Sequence, residues 1–150
     1  PTHLCVAEPA GSGFVHGWRT RTADARASRS TVIEGIGRPC VEPGFLFDVV
    51  DTVIEVPDAA SIAAMNLLER LFGRRYGGSS GTNLVACLEL ACAMRARGEH
   101  GSIVSLLCDR GERYAETLFD AAWLDERDLD SRAWHDALDA CFADGHWRTV

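Results

Sequence analysis

Strand-like and helix-like stretches alternate along this chain, which predicts an α/β domain with a mostly parallel sheet flanked by helices. Short apolar runs with β character recur at residues 3–7, 53–56 and 102–108. Stretches with helical periodicity lie between and after them. Parallel strands need long crossovers, which helices supply, so this alternation favours a layered α/β arrangement. A chain of 150 residues is long enough for one such domain.

Residues 3–7 (HLCVA) form an apolar run broken by Glu8-Pro9, which reads as a buried strand entering a loop. Residues 11–30 are polar and rich in Gly, Arg, Thr and Ser, a loop with one helical turn expected around residues 14–18. Further breaks fall at Arg38-Pro39 and Pro43-Gly44; a short apolar stretch at 45–50 then leads to the strand expected at 53–56. Asp58 opens a helix: its carboxylate is an N-cap candidate, and Ile62, Met65, Leu68 and Phe72 recur at helical spacing until Gly73. After a brief extended piece at 74–76, a glycine-rich turn is expected at 77–81, followed by a helix over 82–97. That helix is apolar nearly all round and is therefore expected to be buried on every side. Residues 102–108 (SIVSLLC) read as a strand buried on both faces. A helix over 112–124 should follow, then an acidic turn-like stretch at 125–130. The last element is an amphipathic helix carrying Trp134, Leu138, Cys141 and Phe142 on one side.

Composition narrows the functional classes. A formal charge of −7 argues against a general nucleic-acid binder, which needs a basic face. No apolar run approaches the roughly 20 residues that cross a bilayer. Glu8 and the nearby Gly and Pro positions interrupt any signal-like stretch, so a cytoplasmic protein without membrane partners is expected. The six cysteines contain no CxxC pair and the five histidines no HxxH or HExxH spacing, so neither a metal site nor a disulfide framework is expected. The thiols read as small buried apolar groups. All 15 basic residues are arginine, so this chain cannot itself form a lysine Schiff base.

The sharpest local feature is GGSSGTN at residues 77–83, between a short extended piece and an apolar helix. Glycines let a backbone approach a ligand closely, and a helix N-terminus offers unpaired N–H groups with partial positive charge. Hydroxyls add donors and acceptors. The run is a candidate ligand site at a strand end, or a plain turn in which Ser or Thr caps the helix. It lacks the lysine of a P-loop. It satisfies the G-x-S-x-G pattern of a nucleophile elbow, which would need Asp109 with His135 or His146 as partners. A second feature is Glu34-Gly35-Ile36-Gly37 and a third is CDRGERY at 108–114; taken singly, each also fits an ordinary loop or a solvated charge run.

In order, EGIG at 34–37, VPDAAS at 56–61, GGSSGTN at 77–83, an apolar strand entering CDRGERY, and Trp123-Leu124 resemble the C-terminal half of the cysteine synthase family. That family belongs to the tryptophan synthase β-like, fold-type II class of pyridoxal-phosphate enzymes, with cystathionine β-synthase. The resemblance covers roughly residues 4–124, and EGIGRPCVEP is similar to a bacterial subgroup of cysteine synthases or cysteine desulfhydrases. It implies a partial fold of that class over residues 1–124, with 125–150 as a helical extension. It implies pyridoxal 5'-phosphate as cofactor. Ser79 takes the place of the serine that meets the pyridine nitrogen, Gly35, Ile36 and Gly37 line the cofactor cleft, and Cys108 and Asp109 lie near the same ring edge. Glu112, Arg113 and Tyr114 match a signature taken as structural.

The family's Schiff-base lysine, the asparagine at the ring hydroxyl, the substrate-carboxylate loop and the phosphate loop belong to an N-terminal portion that finds no match here. No catalytic residue is therefore assigned. A start at Pro1 instead of Met also suggests a piece of a longer protein. The implied activity of the whole enzyme is β-replacement of an O-acetylserine-type substrate with sulfide, giving cysteine. The alternatives are a cysteine desulfhydrase or β-lyase of the same fold, or a non-catalytic remnant acting as a binding or assembly partner. The expected partners are a small amino-acid substrate, the missing N-terminal half and, in the complete enzyme, a second copy. The isolated chain is expected to be inactive.

Overall fold

Strands β1 (Cys5–Pro9) and β2 (Thr52–Val56) pair in parallel, with Cys5 opposite Thr52 and Pro9 opposite Val56. They come from a computed structural model that describes residues 2–148 and Val150. The chain divides into two compact units, Pro1–Asp58 and Ala59–Val150.

In the first unit, helix α1 (Gly13–Thr20) belongs to the crossover that parallel pairing demands. The helical turn expected at 14–18 is thus eight residues long. Ser12 caps it, its hydroxyl accepting from the Phe14 N–H at 3.3 Å. Val15 packs with Val50 and Val53, joined by Val6, Trp18 and Phe45. The Trp18 indole N–H donates to the Val50 carbonyl at 3.0 Å, and Phe14 stacks on Phe45 with ring centres 4.7 Å apart. Residues 47–49 form a 3₁₀ turn.

The second unit is built on helices α2 (Asp58–Phe72), α3 (Gly78–Ala96), the short α4 (Ala121–Asp125) and α5 (Arg132–Asp144). Helix α2 starts where expected, yet Asp58 is its first helical residue. Its carboxylate accepts from the Thr31 hydroxyl at 2.7 Å and the Val32 N–H at 2.8 Å, tying down the loop before Glu34. Ile62, Met65 and Leu68 are buried, while Phe72 at the helix end is exposed. Gly81 of α3 lies against Ser61 and Met65 of α2, so closely that any side chain there would collide with the Ser61 carbonyl. Small residues open α3 because α2 and α3 nearly touch there.

Three expectations fail. Residues 102–108 form no strand, and Val104, Leu106 and Leu107 are exposed, Val104 at 90%. Helix α3 is buried at Val85, Ala86 and Cys92, but Leu84, Cys87 and Leu88 are only half-buried. The helix expected over 112–124 is a 3₁₀ turn at Glu112–Tyr114, further turns, and then α4. Apolar composition proposes a strand, but a neighbouring strand must complete it, and residues 102–108 have none among the described residues. Phe142 of α5 is likewise exposed, while Ala137, Leu138 and Cys141 are buried.

Candidate functional site

The first turn of α3 and residues 108–109 form one stitched unit. The expected turn at 77–81 is instead the helix start: Gly77 is the N-cap and makes no side-chain capping bond, so neither serine caps the helix. The Gly77 N–H donates to the Asp109 carbonyl at 3.0 Å, and the Gly111 N–H to the Arg75 carbonyl at 3.1 Å. This is a short antiparallel contact, with Tyr76 bridged to Arg110. Glycine is required at 77 because the Asp109 carboxylate fills the space a Cβ would take.

The three hydroxyls of the motif have different employment. Ser80 Oγ accepts from the Cys108 N–H at 2.8 Å. Thr82 Oγ1 shares a buried 2.7 Å hydrogen bond with Ser61 Oγ and donates to the Gly78 carbonyl at 3.2 Å. The Ser79 hydroxyl has no hydrogen-bond partner among the described residues, although Ser79 is only 7% exposed. It therefore stands uncommitted beside the free N–H groups of an uncapped helix N-terminus. Ser79, Cys108 and Asp109 come together here. Asp109 accepts from the Tyr114 hydroxyl at 2.7 Å, while the Cys108 thiol is exposed.

Gly35, Ile36 and Gly37 lie in the first unit. Gly35 and Gly37 have φ of +84° and +76°, a backbone region that favours glycine. A Cβ on Gly35 would meet open space, whereas on Gly37 it would press on Pro9 and Thr31 at 3.1 Å. The loop thus turns over the end of β1. Beneath that end Glu8 is 6% exposed, with its Oε2 lacking any hydrogen-bond partner among the described residues. Burial holds its pKa above the ordinary value, against the opposing pull of Ser12 and Arg38.

Sequence reasoning passed over Ser80, Asn83 and Glu8. Asn83 donates to the Leu106 carbonyl at 3.1 Å and so steadies the segment entering Cys108. Its signal was present in the motif itself, a side-chain amide one turn into a helix. Glu8 had a signal too, an acid at the end of an apolar run directly before proline. A cavity of about 400 Å³ lined by Met94, His100 and Ile103 sits at the opposite, C-terminal end of α3 and adds nothing to this site.

The model of the pyridoxal-phosphate dependent enzyme family matches residues 1–109. The L-cysteine desulfhydrase Cds1 of Mycobacterium tuberculosis is 46% identical over 129 residues, which cover 86% of this chain and 35% of that protein. Cysteine synthase 2 of Schizosaccharomyces pombe is 29% identical over 137 residues, covering 84% and 34%. The crystal structure of a hydrogen sulfide-producing enzyme from Fusobacterium nucleatum superposes with a TM-score of 0.64 at 25% identity, covering 86% of this chain and 36% of that one. The chain thus spans about a third of the length of the relatives it matches. With the family model matched over well over half of its length, this chain belongs to the pyridoxal-phosphate dependent enzyme family.

Proposed function

We propose that this chain is the cofactor-proximal C-terminal part of an enzyme that makes or breaks a bond at the β-carbon of cysteine or of an activated serine. The observation that carries the reading is the Ser79 hydroxyl, uncommitted at the uncapped start of α3 while Ser80 and Thr82 are held by structural bonds. A flat heteroaromatic ring with one nitrogen acceptor fits such a hydroxyl, so the residues present suit pyridoxal phosphate.

When bound, that cofactor supplies an electron sink for the pair released as a bond to the substrate α-carbon breaks. Ser79 would hold the ring nitrogen through a neutral hydroxyl. A neutral partner leaves that nitrogen largely unprotonated and moderates the sink, which suits loss of a β-substituent over chemistry that needs a fuller carbanion. Cys108 and Asp109 would border the same edge, with Tyr114 fixing the Asp109 carboxylate. Gly35, Ile36 and Gly37 would border the substrate. The division into residues 1–124 and a helical extension over 125–150 belongs to this reading.

Replacement of a leaving group by sulfide and elimination of sulfide from cysteine stand level. The 46% identical desulfhydrase favours elimination, and the synthase relatives favour replacement. The whole enzyme would work in the cytoplasm, as a homodimer, on a small amino acid. The remaining, lysine-bearing portion would cover the exposed apolar residues 103–107. No lysine is present in this chain, so turnover by the chain alone is expected to be absent.

The test is titration of the purified chain with pyridoxal phosphate, followed by difference absorbance and then borohydride reduction. Weak, reversible binding is expected, with no cofactor trapped on a side chain. Ser79→Ala should weaken it about tenfold, the worth of one hydrogen bond, without lowering thermal stability. Ser80→Ala should instead cost about 1 kcal/mol of stability by stranding the Cys108 N–H. Equal binding by wild type and Ser79→Ala, or a covalently trapped side-chain adduct, refutes the reading.

A further inference from the structure

We propose that Cys92 and Cys141 are a pre-aligned thiol pair that closes to a disulfide, tying α5 to α3. Cys92 lies near the C-terminal end of α3 and Cys141 near the C-terminal end of α5, 49 positions further along the chain. Both are buried, at 8% and 3% exposure, and their sulfurs stand 2.8 Å apart, in direct contact. The helices that carry them are held in place from several sides. Ala137 and Leu138 bury the same face of α5 as Cys141. Arg70 of α2 pairs with Asp139 of α5. Gly145, which ends α5 in the left-handed conformation at φ +70°, lies beside the Arg95 guanidinium of α3. The alignment of the two thiols thus follows from packing of the surrounding helices.

The oxidant is a small-molecule disulfide. The Cys92 thiolate attacks one of its sulfurs, forming a mixed disulfide and releasing one small thiolate. The Cys141 thiolate then attacks the Cys92 sulfur and expels the second. Two protein thiols are oxidised, one small disulfide is reduced to two thiols, and the two protons lost by the protein pass to the departing thiolates. Burial first, and the neighbouring Cys92 sulfur next, push the Cys141 thiol up to about 12. Little thiolate therefore exists while α5 is docked, so the reaction waits on transient release of α5 and quickens in alkaline solution. Once formed, the bond closes a long loop and fastens the helix whose other end carries Ser79.

The experiment treats the natively folded chain with cystamine, blocks remaining thiols with N-ethylmaleimide and maps the peptides by mass spectrometry. A chain oxidised after denaturation serves as the control. The peptides of Cys92 and Cys141 should be joined to each other in the native sample, and pairing should scatter in the control. The oxidised chain should melt about 5–10 °C higher than the reduced one, a gain reversed by dithiothreitol. Cys141→Ser and Cys92→Ala should each abolish that gain; should neither fold, the wild-type map decides. Recovery of Cys92 and Cys141 as separate maleimide adducts or mixed disulfides overturns the proposal. So does indiscriminate pairing in the native sample, or an unchanged melting point.

Discussion

Residues 52–56 and 102–108 are both short and largely apolar, yet only the first is a strand. Thr52–Val56 has β1 beside it, and Val56 is completely buried. Residues 102–108 have no strand beside them among the described residues and leave Val104 and Leu106 in solvent. Among the described residues, α3 side chains steady them by bonding the Leu106 carbonyl and the Cys108 N–H. Propensity makes a segment eligible to be a strand, and a paired neighbour decides the matter. In the proposed reading, the eligible but unpaired segment is where the rest of a longer enzyme would join.

Substitution can sharpen the contrast. Val56→Asp places an unpaired charge in a dry site and should cost about 4 kcal/mol, enough to remove cooperative unfolding of the first unit. Circular dichroism during thermal melting reads this directly.

Glu8, in the strand that partners β2, tests whether pairing also imposes costs. Its folded pKa is raised, so the folded chain holds a proton that the unfolded chain has already released. Stability is then greatest below the ordinary carboxylate pKa and declines as pH rises through the folded value. Glu8→Gln should raise stability at pH 7 by about 1 kcal/mol and flatten that decline, as read by urea denaturation at several pH values.

The smallest effect belongs to the unpaired segment. Val104→Asp should change stability by about 0.5 kcal/mol or less, because the side chain is already in water. It should also reduce binding of a hydrophobic dye, since it interrupts the exposed strip. A loss comparable to that of Val56→Asp would dissolve the contrast.

How far the sequence could be read follows the same line. Elements supported by their own neighbourhood were legible: β1 and β2 within two residues, α2 from its periodicity and Gly73, and α5 from its amphipathic face. The start of α3 was misplaced because Gly77 and Gly81 were read as turn formers. They are in fact required by the Asp109 carboxylate and the Ser61 carbonyl. The separate roles of Ser80 and Thr82 in the motif at 77–83 depend on partners 28 and 21 positions away and were invisible in one dimension. Asp58 was recognised as a helix start, while its grip on Thr31 and Val32 was not.

Hydrogen exchange tests the central contrast most directly. In the native chain, the amides of Thr52–Val56 that bond across to β1 should be protected far above the intrinsic rate, while those of residues 103–107 should exchange almost as fast as in an unfolded peptide. Protection across 103–107 equal to that of β2 would mean that this segment already has its partner, contradicting the view that it waits for one.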